Sequence, residues 1–354
     1  MITEIKLKHF RSYKNRTFKF SPGVNIIVGP NASGKTNLLE AILVACEGKS
    51  YRAGDIELIA FKQEIARIEL LTDSKDTRVV YLESSPNNKK KSYKINNELF
   101  TRLSLQKRLP TVLFEPNNLS MLSGPADLRR QFLDDLLEKT KSGYGSLRRS
   151  YRRTLAQRNH LLKRENLTKD QLFAWDIRLC DLGGQIAKYR NNLAHDINEL
   201  IGNVYESLSG AKAKIEFSYI ATVPIEGYGT ALLHKLEERV KEDRERGFTA
   251  YGPHREDIAI SINGHPLQTS ASRGEVRSMV LACKIIEAIL IENEHNIKPI
   301  LLFDDVFSEL DSFRREQLTN FLHPYQSIIT TTDADALQQH LTKKNKQIIL
   351  IDTK

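Results

Sequence analysis

The sequence is short of the residues that mark an extracellular or membrane protein. Its three cysteines, Cys46, Cys180 and Cys283, are far apart and form no CxxC pair. Neither a zinc site nor a disulfide framework is expected, and buried free thiols in a reducing compartment fit best. No stretch approaches the ~20 apolar residues of a membrane span, and the opening MITEIKLKHF lacks the apolar centre of a secretion signal. A cytoplasmic protein with no membrane partner is expected. Acidic charge is also short, 44 Asp and Glu against 53 Lys and Arg, a net charge of +9. Such a surplus biases a chain toward polyanions, because Lys and Arg displace counterions from phosphate backbones, although a basic solvated face gives the same count. With 354 residues, 40% hydrophobic and 27% charged, the composition is that of one large or two ordinary globular domains.

Proline is absent between Pro125 and Pro224, and that segment reads as helix nearly throughout. From Trp175 through Leu179, Leu182, Ile186, Tyr189, Leu193, Ile197, Leu200, Val204 and Leu208, apolar residues return every three or four positions, a seam along one helix. Thr168 and Gln171 make a capping box at its start, and Gly183-Gly184 marks where it could break. An earlier helix around Leu147, Tyr151, Leu155 and Leu162 carries Arg148, Arg149, Arg152, Arg153, Arg158, Lys163 and Arg164 on its other faces. Two antiparallel helices of roughly 20 and 40 residues would form an arm about 30 to 60 Å long. Arg148, Arg149, Arg152 and Arg153 are candidate DNA contacts, or else a solvated face.

Strand patterns lie on both sides of this segment, with no internal repeat. Ile2 to Leu7, Thr17 to Phe20, Val24 to Val28 and Val112 to Phe114 precede it, as does a hairpin of Val79–Leu82 and Tyr93–Ile95 whose PNNKKK link would place lysines at a solvated tip. Ile258 to Ile262 before an Asn263-Gly264 turn, Ile300 to Phe303, Ser327 to Thr330 and Ile348 to Ile351 follow it. The expected organisation is an α/β head of residues 1–122 and 224–354, interrupted by a helical arm of residues 123–223.

Gly29-Pro30-Asn31-Ala32-Ser33-Gly34-Lys35-Thr36, followed by Asn37, fits the P-loop pattern GxxxxGK[ST] between a strand and a helix. Backbone N–H groups there would surround the phosphates of ATP, Lys35 would meet their terminal oxygens and Thr36 would ligate Mg2+. Ile300–Phe303 ending in Asp304-Asp305 reads as a Walker B strand, with Asp304 on Mg2+ and Asp305 positioning or deprotonating water. Ser272-Arg273-Gly274-Glu275 ahead of a helix resembles the ABC signature LSGGQ. Its Ser272 and Gly274 would cover, in trans, the γ-phosphate held by a second copy. Ser308-Glu309-Leu310-Asp311 falls where a D-loop is expected. The fold class is α/β: an ABC-type P-loop ATPase head with an inserted, mainly helical arm domain.

In this order the motifs resemble the RecF family, related to the heads of Rad50 and SMC proteins. The resemblance covers nearly the whole length through LKHFRSY, KSYR at Lys49 to Arg52, LFEPNNLSMLSGPADLRRQFLD, YGPHRED at Tyr251 to Asp257 and DDVFSELD. It implies an ATP-dependent homodimer that binds double-stranded DNA at junctions or gaps and works with RecR and RecO in loading RecA. Glu275 stands where Gln is usual, Asp305 where most ABC proteins carry Glu, and Thr330-Thr331-Thr332-Asp333 lacks the γ-phosphate histidine, as in RecF proteins generally. Slow hydrolysis is expected. Glu115 to Asn118 occupies the Q-loop place without a glutamine. A transporter ATPase subunit shares P-loop, signature and Walker B, but the helical insertion, the basic charge and the missing histidine oppose it. A full SMC or Rad50 chain would need hundreds more residues. A scaffold holding ATP without hydrolysis remains the other alternative.

Overall fold

A computed structural model describes residues 1–85, 88–165, 168–332 and 346–351. Contacts divide the chain into two units, Met1–Pro116 with Glu287–Lys354, and Asn117–Ile286. The second runs wider than the 123–223 span read from proline spacing, because the segments after Pro224 pack on the long helix of the arm.

In the first unit, β1 (Ile2–Phe10) and β2 (Tyr13–Lys19) pair antiparallel, and β3 (Val24–Val28) leads through the glycine-rich turn into α1 (Lys35–Glu47). Then come β4 (Ile65–Thr72), β5 (Thr77–Ser85), β6 (Asn88–Ile95), β7 (Glu98–Phe100) and β8 (Thr111–Phe114). Strands β2-β1-β4-β5-β6-β7 form one antiparallel sheet. Its inner face is set by alternation, with Ala66, Ile68 and Leu70 buried along β4. Helix α1 is apolar on nearly every side and correspondingly buried, as a helix wedged between layers must be. It packs against that sheet and a second, parallel one. The hairpin lysines do not all sit at a tip: Lys91 lies within β6, its Nζ 2.5 Å from Asp55, while Pro86 and Asn87 lie outside the described residues.

The second unit holds α2 (Leu119–Ser123), α3 (Ala126–Thr140), α4 (Tyr144–Leu162), α5 (Lys169–Ser209), β9 (Ile215–Ile220), α6 (Tyr228–Glu238), α7 (Val240–Arg246), β10 (Asp257–Ile262), β11 (His265–Pro266) and α8 (Leu267–Ser270). Helices α4 and α5, of 19 and 41 residues, are the expected pair, and the Thr168–Gln171 capping box is present. Three expectations need correction. Helix α5 runs unbroken through Gly183 and Gly184, where a Cβ at Gly183 would lie 3.4 Å from both Leu232 and Pro253, an ordinary contact distance. Its buried seam shifts after Ile197 to Ile201, Tyr205 and Leu208, so Leu200 and Val204 are not its core. The proline-free segment is not all helix, since β9 pairs antiparallel with β10. Asn263 (φ 52) and Gly264 (φ 80) make the left-handed turn into β11.

Beside its apolar core the interior of this unit holds buried ion pairs. Arg190 meets Asp134 through two bonds of 2.9 Å and donates to the Pro253 carbonyl at 2.6 Å. Arg158, read from sequence as an outer arginine, is fully buried and paired with Asp176 and Asp243. The run YGPHRED is a hub here. Glu256 accepts from Tyr228, Tyr219 and Thr222, Asp257 is gripped by Arg129, and His254 bonds Tyr151 at 2.7 Å and the Thr249 carbonyl at 3.0 Å.

The chain then passes through α9 (Arg273–His295), β12 (Ile300–Asp304), α10 (Ser312–Leu322), β13 (Ser327–Thr331) and β14 (Lys346–Leu350). The second sheet is wholly parallel in the order β14-β3-β13-β12-β8. Register sets Val28 opposite Thr331, Asp304 opposite Thr330 and Phe114 opposite Phe303. The carboxyl ends of these strands, where such sheets bind ligands, are therefore level.

Burial pushes the His254 imidazole down to about 4 from 6.5. The native state refuses a proton that the unfolded chain takes up below pH 6.5, so this contribution is complete above that value and is lost as pH falls toward 4. Followed by Trp175, the single tryptophan of the sequence, unfolding of the second unit should lose about 2 kcal/mol more between pH 8 and pH 5 than in a His254→Gln variant. Parallel pH dependence in the two proteins would contradict this.

Candidate nucleotide-binding site

The P-loop connects β3 to α1. Two left-handed residues shape it, Ala32 (φ 63) and Gly34 (φ 104). A Cβ on Gly34 would meet the Tyr13 hydroxyl at 2.9 Å, and one on Gly29 would meet the Ile351 carbonyl oxygen at 2.5 Å, so both glycines are required by close approach. Tyr13 donates to the Gly34 carbonyl at 3.0 Å. Backbone N–H groups of Asn31, Ala32, Gly34, Lys35 and Thr36 find no acceptor among the described residues, and the buried Ser33 hydroxyl has no partner. Pro30, Asn31 and Ala32 are exposed, while Lys35 is buried. Its Nζ donates to the loop's own Gly29 and Pro30 carbonyls at 2.6 and 2.9 Å. Burial lowers its pKa and the carboxylates of Asp305 and Asp304 draw it back up. A ring of free donors around a buried ammonium fits a polyphosphate.

Asp304 ends β12 beside this loop. Thr36 Oγ1 donates to its Oδ1 at 2.9 Å, Tyr51 donates to Oδ2 at 3.2 Å, and the Thr330 hydroxyl lies 3.0 Å from Oδ1. Thr36 and Asp304 bring together oxygen donors of the kind Mg2+ takes, and are the residues that would hold it. Asp305 follows in a left-handed conformation (φ 53). Its N–H donates to Thr330 at 3.1 Å, and its Oδ1 is buried without a partner. Beyond it, Ser308 donates to the Asp305 carbonyl at 2.6 Å and Asp311 caps α10 by accepting from the Arg314 N–H at 2.9 Å. DDVFSELD is thus a strand end, a single tight turn and a helix cap. Asn37 accepts from Arg52 at 2.6 Å, and Asp333 lies outside the described residues.

Sequence reasoning missed the residue that ties these parts together. Glu40, fully buried on α1, accepts from Arg11 through Nε at 2.8 Å and Nη2 at 3.0 Å, from Arg52 at 3.0 Å and from Ser50 at 2.6 Å. Removal from water would raise its pKa, but the hydrogen bonds from Arg11, Arg52 and Ser50 prevail and hold it below the usual carboxylate value. The runs LKHFRSY and KSYR therefore meet on one carboxylate, one turn past Thr36. The legible signal was a glutamate inside the otherwise apolar LLEAILVAC. Tyr51 and Thr330 were missed because nothing local marks a hydroxyl as aimed at a carboxylate distant in sequence.

The signature segment lies in the second unit, apart from these residues in the division of the chain. Ser272 caps α9, accepting from the Glu275 N–H at 3.3 Å, while Glu275 accepts from the Ser272 N–H at 2.8 Å. That reciprocal capping box takes Glu or Gln equally, which accounts for Glu275 in place of Gln. The bond from the Ser272 N–H keeps the Glu275 carboxyl low. Ser272 and Arg273 are exposed, and Gly274 is half-buried.

The four candidate arginines of α4 divide. Arg148 is held by Asp134, Asp135 and Glu138, so its charge is spent within the protein. Arg149, Arg152 and Arg153 are exposed at i, i+3 and i+4, one helix face.

Comparison with known proteins identifies the family of the chain. The family of the RecF/RecN/SMC N terminal domain matches residues 1–352. The DNA replication and repair protein RecF of Heliobacterium modesticaldum is 36% identical over 351 residues, covering 95% of this chain and 93% of its own. That of Alkaliphilus oremlandii is 33% identical, covering 96% and 95%. A solved structure described as the recombination mediator protein RecF with ATPrS in the RecFOR pathway superposes with a TM-score of 0.88 at 29% identity, covering 99% of this chain and 97% of that one. The Smc head domain of Pyrococcus furiosus, at 17% identity and TM-score 0.54 over 100% and 94%, shares the fold.

Removing Glu40 would leave two arginines facing a buried gap. Because both arginines keep partial exposure, Glu40→Ala should cost about 3 kcal/mol, the low end for a broken buried pair, and Glu40→Gln less. Thermal unfolding measures this, and unchanged melting in both variants would contradict the role given to Glu40.

Proposed function

The chain belongs to the RecF family of DNA replication and repair proteins, and from that premise we propose that it is an ATP-driven DNA clamp of the cytoplasm. The observation that supports the proposal is the contact of Thr36 with Asp304, which joins the P-loop to the end of β12. Gly29 to Asn37 hold the nucleotide, and Thr36 with Asp304 hold Mg2+, which supplies charge neutralisation at the phosphates. Lys35 exchanges its two loop carbonyls for phosphate oxygens. Ser272 and Gly274 of a second copy complete the site, giving an ATP-sandwiched homodimer.

In this account Asp305 orients the attacking water and accepts its proton. Its carboxylate is one methylene shorter than the usual Glu, so turnover is slow and serves as a release switch for bound DNA. Exposed Arg149, Arg152 and Arg153 meet the phosphates of double-stranded or gapped DNA, whereas Arg148 is assigned a structural role. RecR, RecO and RecA are the partners, in repair and recombination at damaged or stalled replication sites; the description of the solved RecF relative by its RecFOR pathway supports that assignment.

Lys35→Ala should lose ATP-dependent dimerisation and DNA affinity together, and Asp305→Asn should keep both while phosphate release in a single turnover stops. Retained dimerisation in the first variant, or undiminished release in the second, would contradict the proposal. Joint reversal of Arg152 and Arg153 to Glu should weaken duplex binding on the order of tenfold or more and make the slope of log affinity against log salt shallower by roughly 2. An unchanged slope would remove α4 from the DNA surface.

A further inference from the structure

The outward face of the antiparallel sheet carries a polar groove that the nucleotide site does not use. Since Ala66, Ile68 and Leu70 of β4 point into the core, Arg67 and Glu69 point out. Register sets Arg67 opposite Tyr81, Glu69 opposite Val79, and Val79 opposite Lys94. Two tight turns close one end, with Lys75 (φ 64) between β4 and β5, and Asn96 (φ 47) and Asn97 (φ 74) between β6 and β7. These residues with Thr77 line a groove of about 380 Å3, within the range of small-ligand sites.

Its charges are unevenly spent. Arg67 is paired with Glu69 at 2.6 Å, and its guanidinium lies over the Tyr81 ring, 5.6 Å from the ring centre, so arginine and aromatic form one cation–π pair. Asn96 is committed to Asp76 and the Thr77 N–H. The ammonium groups of Lys75 and Lys94 have no carboxylate partner among the described residues. With Glu69 as the one acid in the lining, the groove keeps a positive surplus next to an aromatic surface.

We propose that this groove holds an unpaired nucleotide of single-stranded DNA, its base stacked against the Tyr81–Arg67 pair and its phosphate between Lys75 and Lys94. Cations beside an aromatic are the combination by which proteins hold single strands without reading their sequence. A duplex, whose base faces are covered by stacking, would engage only the lysines. The inference rests on the reading that this chain binds DNA, and deepens it by giving a physical origin for a preference for gaps.

The test is equilibrium binding of gapped and blunt duplexes, with ATP present, to the full chain and to Tyr81→Ala, Tyr81→Phe and Lys94→Glu. Tyr81→Ala should weaken gapped DNA on the order of tenfold while blunt-duplex affinity and ATP-dependent dimerisation stay at the parent level. Tyr81→Phe should restore gap binding, since the ring is kept, and Lys94→Glu should weaken the gapped form more than the blunt one. Gapped-DNA affinity indifferent to Tyr81→Ala, or an equal loss on both DNAs, would overturn the groove while leaving the clamp standing. Parent protein that binds neither DNA would overturn both.

Discussion

One hydrogen bond, from Thr36 to Asp304 across 268 positions of sequence, joins the first turn of α1 to the end of β12, and the nucleotide site depends on it. It exists because two constraints coincide. Helix α1 is too apolar to lie anywhere but between the two sheets, and the parallel sheet keeps β3, β13 and β12 in a register that levels their carboxyl ends. Glu40 then draws Arg11 and Arg52 from two loops onto the helix that Lys35 begins. A carboxylate so buried is tolerated only because each oxygen is answered by a donor.

The second unit solves a different problem with the same chemistry. A helix of 41 residues is held by its packing, and beside its buried apolar seam it has charged anchors: Arg190 on Asp134, and Asp176 on Arg158. Two of the unit's arginines are thereby consumed as structure, and Arg148 joins them. The surplus left at the surface of α4, Arg149, Arg152 and Arg153, is smaller than the sequence suggests. Its confinement to one helix face gives it a direction that a diffuse basic charge would lack.

What could be read in advance follows from how local each signal is. The P-loop, the Walker B strand and the capped arm helix declare themselves within a few residues, because glycine spacing, an apolar strand ending in acids and a Thr–Gln cap are local physics. Register and burial are not local. Whether Arg158 faces water, whether Gly183 breaks a helix or sits inside one, and whether Tyr51 points at Asp304 are decided by segments distant in sequence. Glu275 shows the reverse case, where an apparent departure from a motif is no departure once its role as a helix cap is visible.

The central claim is that the cradle is half of a site whose other half, Ser272 and Gly274, comes from a second copy. Mixing Lys35→Ala chains with Ser272→Ala chains tests it most directly, because the mixed dimer contains one site with both defects and one with neither. The account predicts that neither variant alone releases phosphate and that their mixture recovers a substantial part of the parent activity. A mixture as inactive as its components, or a Ser272→Ala chain active alone, would contradict it.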